Sequence, residues 1–204
     1  MAITGLLLCG FMVFHLAGNM LLLVGPEAYN KYAHTLHSQE WLVKAGEAGL
    51  LALFALHVFL AISTARENKS ARRVRYAAKE SKIGERILMI PSENWMFATG
   101  AVALAFLIWH ISDFTLEYSP LVDYADKEPH AKAVAIMQTP VSFGVYLVGC
   151  LALALHLLHG FQSAFQSLGI NHPKYNGLIR GAGTVLMVLV AFGFALFPVW
   201  AMFK

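Results

Sequence analysis

The sequence predicts an all-α, polytopic membrane protein with five transmembrane helices in one domain, and three observations carry that reading. Of the 204 residues, 58% are apolar and only 13% charged, where soluble chains run nearer a quarter charged. The apolar residues fall into blocks of about 20, the length that crosses the hydrocarbon core. Between the blocks the charge is uneven, and residues 133–173 contain no Asp, Glu, Lys or Arg.

Taken in order, the first span covers residues 2–24, uncharged and closed by Gly25-Pro26. It lacks the basic n-region of a cleaved signal peptide and is expected to be retained. The second covers 41–65, entered through Lys44 and Glu47 and then uncharged up to Arg66. The third covers 94–112, after Pro91-Ser92-Glu93, and ends at Asp113. The fourth covers 139–168 with Pro140 in its first turn, where proline is tolerated. The fifth covers 177–203. All five are expected to be helical, because lipid-exposed backbone must satisfy its own hydrogen bonds. No internal repeat or low-complexity linker is evident.

Loop charge sets the expected orientation. Residues 66–91 form a basic loop. Arg66, Lys69, Arg72, Arg73, Arg75, Lys79, Lys82 and Arg86 supply eight of the 15 Lys and Arg residues, which places it on the cytoplasmic side. Residues 113–132 hold Asp113, Glu117, Asp123, Asp126 and Glu128 against two lysines, which suits the outer side. Lys174 and Arg180 return the chain to the inside. The amino terminus is expected inside and the carboxyl terminus outside. Trp41, Trp95 and Trp200 read as interfacial anchors. Cys9 and Cys150 lie in apolar runs without CxxC or CxxCH, which excludes a zinc ribbon and covalent c-type haem. Nothing points to nucleic acid.

An ionisable residue inside a span marks a functional site by default, and five of the nine histidines fall inside spans: His15, His57, His110, His156 and His159. At 1.5 Å per residue, His15 lies about 20 Å and His110 about 24 Å from the cytoplasmic edge, against about 13 Å for His57 and 16 Å for His156. That gives two levels, each drawing one histidine from each of two helices. Two neutral imidazoles facing each other across a flat macrocycle are what six-coordinate haem needs. His159 sits about one turn (roughly 5 Å) nearer the cytoplasm than its partner's level, so depth favours His156 between the two. Small residues flank the proposed ligands (Gly18, Ala61, Ala103, Gly149 and Gly160) and give a flat group room. A metal-cation transporter would add intramembrane carboxylates, and the spans as drawn contain none; Glu47 and Glu93 sit at span ends.

With TGLLLCGFMVFH at 4–15, His57 followed by a basic loop, and a glycine four residues after His156 in HLLHG, nearly the whole chain resembles a known family. It is similar to the single-chain, five-helix, di-haem cytochrome b anchors of succinate:quinone oxidoreductases and quinol:fumarate reductases. The resemblance implies two haem b groups, the outer held by His15 and His110 and the inner by His57 and His156. It implies a bacterial cytoplasmic (inner) membrane. It also implies a flavoprotein subunit with FAD and an iron–sulfur subunit docked on the cytoplasmic face, and electron transfer to or from a membrane quinone, menaquinone favoured. The chain has no dicarboxylate site of its own. An ungapped alignment from His15 puts His37 where family members carry an acidic residue associated with menaquinol, with His34 one turn earlier. The position two residues before the fourth-span histidine, a carboxylate in some members, is Ala154 here, which argues against a carboxylate proton route at that point. Ser92, Trp95, Gln162, Ser163, Ser167 and Arg66 are candidates for haem propionate contacts. His130 and His172, beside prolines, are expected to be solvated. Two other readings compete: a cytochrome b subunit of a formate dehydrogenase or hydrogenase, and a histidine-containing transporter without redox function.

Overall fold

The computed structural model describes residues 1–71 and 92–204, with 92–95 by backbone alone. The described residues form helices without strands, in the order α1 (Ala2–Asn19), α2 (Leu21–Val24), α3 (Pro26–His37), α4 (Glu40–Ser70), α5 (Ser92–Phe114), α6 (Pro129–Gln138), α7 (Pro140–Ser167) and α8 (Pro173–Ala201). Five stretches are long and apolar enough to cross a membrane: Ala2–Val24, Glu40–Ser70, Met96–Phe114, Pro140–Ser167 and Pro173–Ala201. The shortest, with 19 residues, still reaches about 28 Å, close to the hydrocarbon thickness. The chain is a multi-pass membrane protein.

Its surface follows from that solvent. Phe14, Phe59, Phe192 and Leu51 point outward at 62–79% exposure, and α4 buries no residue at all. Lipid tails are as apolar as leucine, so packing, small residues and hydrogen bonds decide which faces meet. The central helix is α7, which packs against α8, α5, α1 and α6. One core cluster joins Ala154 and Leu157 of α7 to Leu186 and Val190 of α8. A second joins Leu22, Ala133, Met137, Phe197 and Ala201, tying α2, α6 and α8 together at the end of the bundle where α1 finishes. We call this the far end, and the start of α1 the near end.

Proline opens α3, α6, α7 and α8, at the one helical position where a missing N–H costs nothing. The Thr139 hydroxyl caps α7 by accepting from the Ser142 N–H. The first span is interrupted for one residue at Met20, beside Asn19, whose amide donates to the His15 carbonyl at 2.8 Å. Gly25 then turns the chain at φ +136°, a conformation that strains any residue with a Cβ. Gly25→Ala should therefore destabilise the protein by about 1–3 kcal/mol, seen as a lower unfolding midpoint in detergent. Gly46→Ala, whose new methyl meets open space, should not.

Three sequence expectations change. The segments after spans one and three, read as loops, contain α3 and α6, which pack on each other. Short helices of low hydropathy carry no span signal. The third span does not stop before Asp113: α5 runs through it, and the carboxylate is buried at 1% exposure. His130 is half-buried and held by contacts rather than solvated. Its backbone N–H donates to Asn30 Oδ1 at 2.9 Å, its Nε2 lies 3.3 Å from the Leu22 carbonyl oxygen, and its ring packs on Trp200. His172 does sit exposed, where it caps α8 by accepting from the Lys174 N–H. Of the basic loop, Arg66 and Lys69 lie in the last turns of α4. Arg72, Arg73, Arg75, Lys79, Lys82 and Arg86 fall outside the described residues, as do the side chains of Ser92 and Trp95.

Candidate cofactor site: two facing histidine pairs

Four spans each direct one histidine inward, and the rings meet in two pairs. His57 of α4 faces His156 of α7 with centroids 6.5 Å apart and planes at 78°. His15 of α1 faces His110 of α5 at 5.8 Å and 86°. The second pair is packed in aromatic rings: Phe11 stacks on His15 at 5.2 Å, Phe194 of α8 lies 5.7 Å from it, and Phe106 and Phe114 flank His110. His159 pairs with no second ring among the described residues; it is His156 that packs on His57.

Each of the four rings has a polar side-chain neighbour at Nδ1. His57 Nδ1 lies 3.0 Å from the Thr4 hydroxyl, and that hydroxyl donates its own proton to the Met1 carbonyl at 2.8 Å. A hydroxyl has one proton, so Thr4 accepts from His57. The same arrangement recurs at His156, where the Thr99 hydroxyl, 3.3 Å from Nδ1, donates to the Met96 carbonyl. At His110 the partner is the Tyr146 hydroxyl, 3.4 Å from Nδ1, which donates to Asp113 Oδ2 at 3.2 Å. A ring that donates to such a hydroxyl carries its proton on Nδ1 and a lone pair on Nε2. His15 differs. Its Nδ1 neighbour is the Asn19 amide nitrogen at 3.4 Å, a donor only.

Glycine makes room for the inner rings. A Cβ on Gly5 would lie 3.4 Å from the His57 ring, and one on Gly100 would lie 3.2 Å from that of His156. The glycines singled out from sequence serve helix packing instead. A Cβ on Gly149 would run into the Phe106 ring, and one on Gly18 into the Tyr32 hydroxyl.

These contacts expose an internal repeat that the sequence reading did not find. Helix α1 carries Thr4-Gly5 and then His15; α5 carries Thr99-Gly100 and then His110, at the same spacing. Helix α4 carries Ala55-Leu56-His57 with Ala61, and α7 carries Ala154-Leu155-His156 with Gly160. Each unit is therefore a helix with a Thr-Gly seat near its start and a histidine about 16 Å further along, plus a second helix whose histidine rests in that seat. Two such units face each other. The pattern T-G-x9-H was the available signal. Tyr146 and Asp113 carry none, since only α5–α7 packing brings them together.

Two imidazoles bonded to one metal ion from opposite sides at about 2.0 Å each hold their centroids roughly 6 Å apart. Both pairs meet that test, at 5.8 and 6.5 Å. Among the described residues, no three His, Cys, Asp or Glu side chains converge to hold a metal ion by themselves. Two opposed donors suit a metal that brings its own equatorial ligands.

The remaining candidates lie elsewhere. His34 is on the surface, its Nε2 2.7 Å from Glu128 with both side chains more than 60% exposed, and it links α3 to the start of α6. His37 Nδ1 lies 2.8 Å from the Ala33 carbonyl oxygen. Comparison with protein-family models, curated proteins and solved structures returned no match to this chain. Fold and site define a class on their own terms: a multi-pass membrane protein with two facing histidine pairs in its core.

Proposed function

We propose that the chain is the di-haem cytochrome b anchor of a succinate dehydrogenase or fumarate reductase complex, carrying electrons between an iron–sulfur subunit and membrane quinone. The observation that supports it is the set of two facing histidine pairs, drawn from four spans, with ring centroids 5.8 and 6.5 Å apart. His57 and His156 would hold the inner haem b, and His15 and His110 the outer one. Bound haem supplies one-electron redox chemistry tuned by its axial ligands and their hydrogen bonds. The residues here do the rest: Thr4 and Thr99 fix the inner rings, Gly5 and Gly100 clear space for them, and the phenylalanines exclude water from the outer pair.

On this reading the near end is cytoplasmic, in a bacterial inner membrane. Arg66 and Lys69 begin the basic face that receives the iron–sulfur subunit and the FAD flavoprotein. Menaquinone is the favoured quinone, with His34 and His37 as proton-exchanging candidates at the far end. The rival transporter reading gains a buried carboxylate in Asp113. That group faces hydroxyls, however, and no third ligand converges on a histidine pair among the described residues.

A reduced-minus-oxidised spectrum of the purified chain decides the class: a b-type alpha band with two titrating components is expected, and its absence ends the haem reading. Copurification with succinate dehydrogenase activity, and the identity of the bound quinone, test the complex. Thr4→Val removes the acceptor for His57 Nδ1–H at nearly constant shape. It should weaken inner haem retention about 10- to 100-fold, read as the haem-to-protein ratio, and Thr4→Ser should restore it.

A further inference from the structure

His110 differs from the two inner histidines in the group at the end of its hydrogen-bond chain. At the inner level each chain runs from histidine through a threonine hydroxyl to a backbone carbonyl. At His110 it runs through a phenol to a carboxylate. Asp113 stands three residues after His110, and Ser142 four before Tyr146, spacings that put each pair on one helix face. Helices α5 and α7 thus close a four-residue box. Asp113 Oδ2 accepts from Tyr146 at 3.2 Å and from Ser142 at 3.4 Å. Asp113 has no ion-pair partner among the described residues, and it is one of the most deeply buried side chains. A buried carboxylate is costly unless hydrogen bonds hold it, so its retention here calls for a role.

The geometry points to one, resting on the haem reading above: Asp113 and Tyr146 are positioning residues that hold His110 with its proton on Nδ1 and make its Nε2 the strongest electron donor of the four. The contacts of 3.2–3.4 Å are individually long, but their order follows from proton count. Tyr146 has one proton, and Asp113 has the better claim to it. The phenol oxygen therefore accepts from His110, and electron density from the carboxylate passes through the phenol to the imidazole. Outer hydrogen bonds of this kind raise ligand basicity. A more basic axial ligand favours the oxidised metal, so the relay lowers the potential of the outer site alone.

Redox titration of the full chain in detergent tests this. Tyr146→Phe and Asp113→Asn should each move the outer component to more positive potential and leave the inner component in place. Ser142→Ala, which removes the donor that competes with Tyr146 for Asp113 Oδ2, should move the outer component the opposite way, to more negative potential, and leave the inner one in place. If Asp113→Asn shifts the outer component and Tyr146→Phe does not, the carboxylate acts through space and the relay is overturned. If both components move together, the effect is general and the relay is overturned as well. A second measurement needs no haem: ¹⁵N NMR of ring-labelled histidine in the chain before haem loading. His110 should show the Nδ1–H tautomer in the wild type and lose it in Tyr146→Phe; an unchanged tautomer overturns the proposal. A chain with no b-type band but the expected tautomer change keeps the relay and loses the haem reading.

Discussion

With two haems held as proposed, alanine at His57 or His156 is expected to remove one b-type component and spare the other, and alanine at His15 or His110 to do the reverse. The haem content falls from two per chain to one in each case. The pattern follows from the opposed rings: each pair shares one site, so losing either member leaves a single axial donor and a gap on the other side. The two levels lie about 16 Å apart along α1, too far for one pair to replace the other. His159→Ala should leave both components, because packing turns His156 and not His159 toward His57. Haem quantification and redox titration of the five variants read this directly. Loss of a component in His159→Ala, or one shared by a histidine from each level, sinks the pairing.

Gly149→Ala is expected to destabilise the protein by about 1–3 kcal/mol, the usual cost of overpacking a filled site. A Cβ there would run into the Phe106 ring, so α5 and α7 must separate or the ring must turn. The consequence reaches the site, since Phe106 lies 5.9 Å from the His110 ring and 5.4 Å from that of Tyr146. Outer haem should therefore be lost before inner haem as the protein is titrated with denaturing detergent. Gly144→Ala on the same helix is the control. Its new methyl meets nothing within 4 Å, and alanine favours helix over glycine by about 1 kcal/mol, so stability should hold or rise. Equal loss in both variants, or none in Gly149→Ala, would show that the α5–α7 approach is not tight.

The histidines were legible because their chemistry is out of place: an imidazole in an uncharged span has few reasons to be there. Depth along the helices matched His57 with His156 and His15 with His110, and the same rings face each other in the structure. Depth works because a membrane fixes a common origin for every span. It is coarse, however, and His159 lies only one turn from His156. The partners of the rings were not legible. Threonine and glycine are ordinary in membrane helices, and Thr4-Gly5 means little until His57, 53 residues away in the chain, comes to rest on it. Asp113 was misplaced for a related reason. A carboxylate at the end of an apolar run looks like the first residue of a loop, and only Tyr146 and Ser142 arriving from α7 make a buried position tolerable.

The number, length and helical character of the spans follow from local composition, because hydrocarbon imposes the same demand on every crossing: about 20 apolar residues with their backbone bonds closed internally. Which face of each helix turns inward does not follow. Against lipid one apolar face competes equally with another, so the choice falls to close packing at Gly149 and Gly100 and to hydrogen bonds between helices. The selection of His156 over His159, the Thr-Gly seats under the inner rings, the burial of Asp113 and the structural use of His130 all belong to that second kind of decision. Each depends on residues from helices far apart in the chain, and only the assembled bundle brings them together.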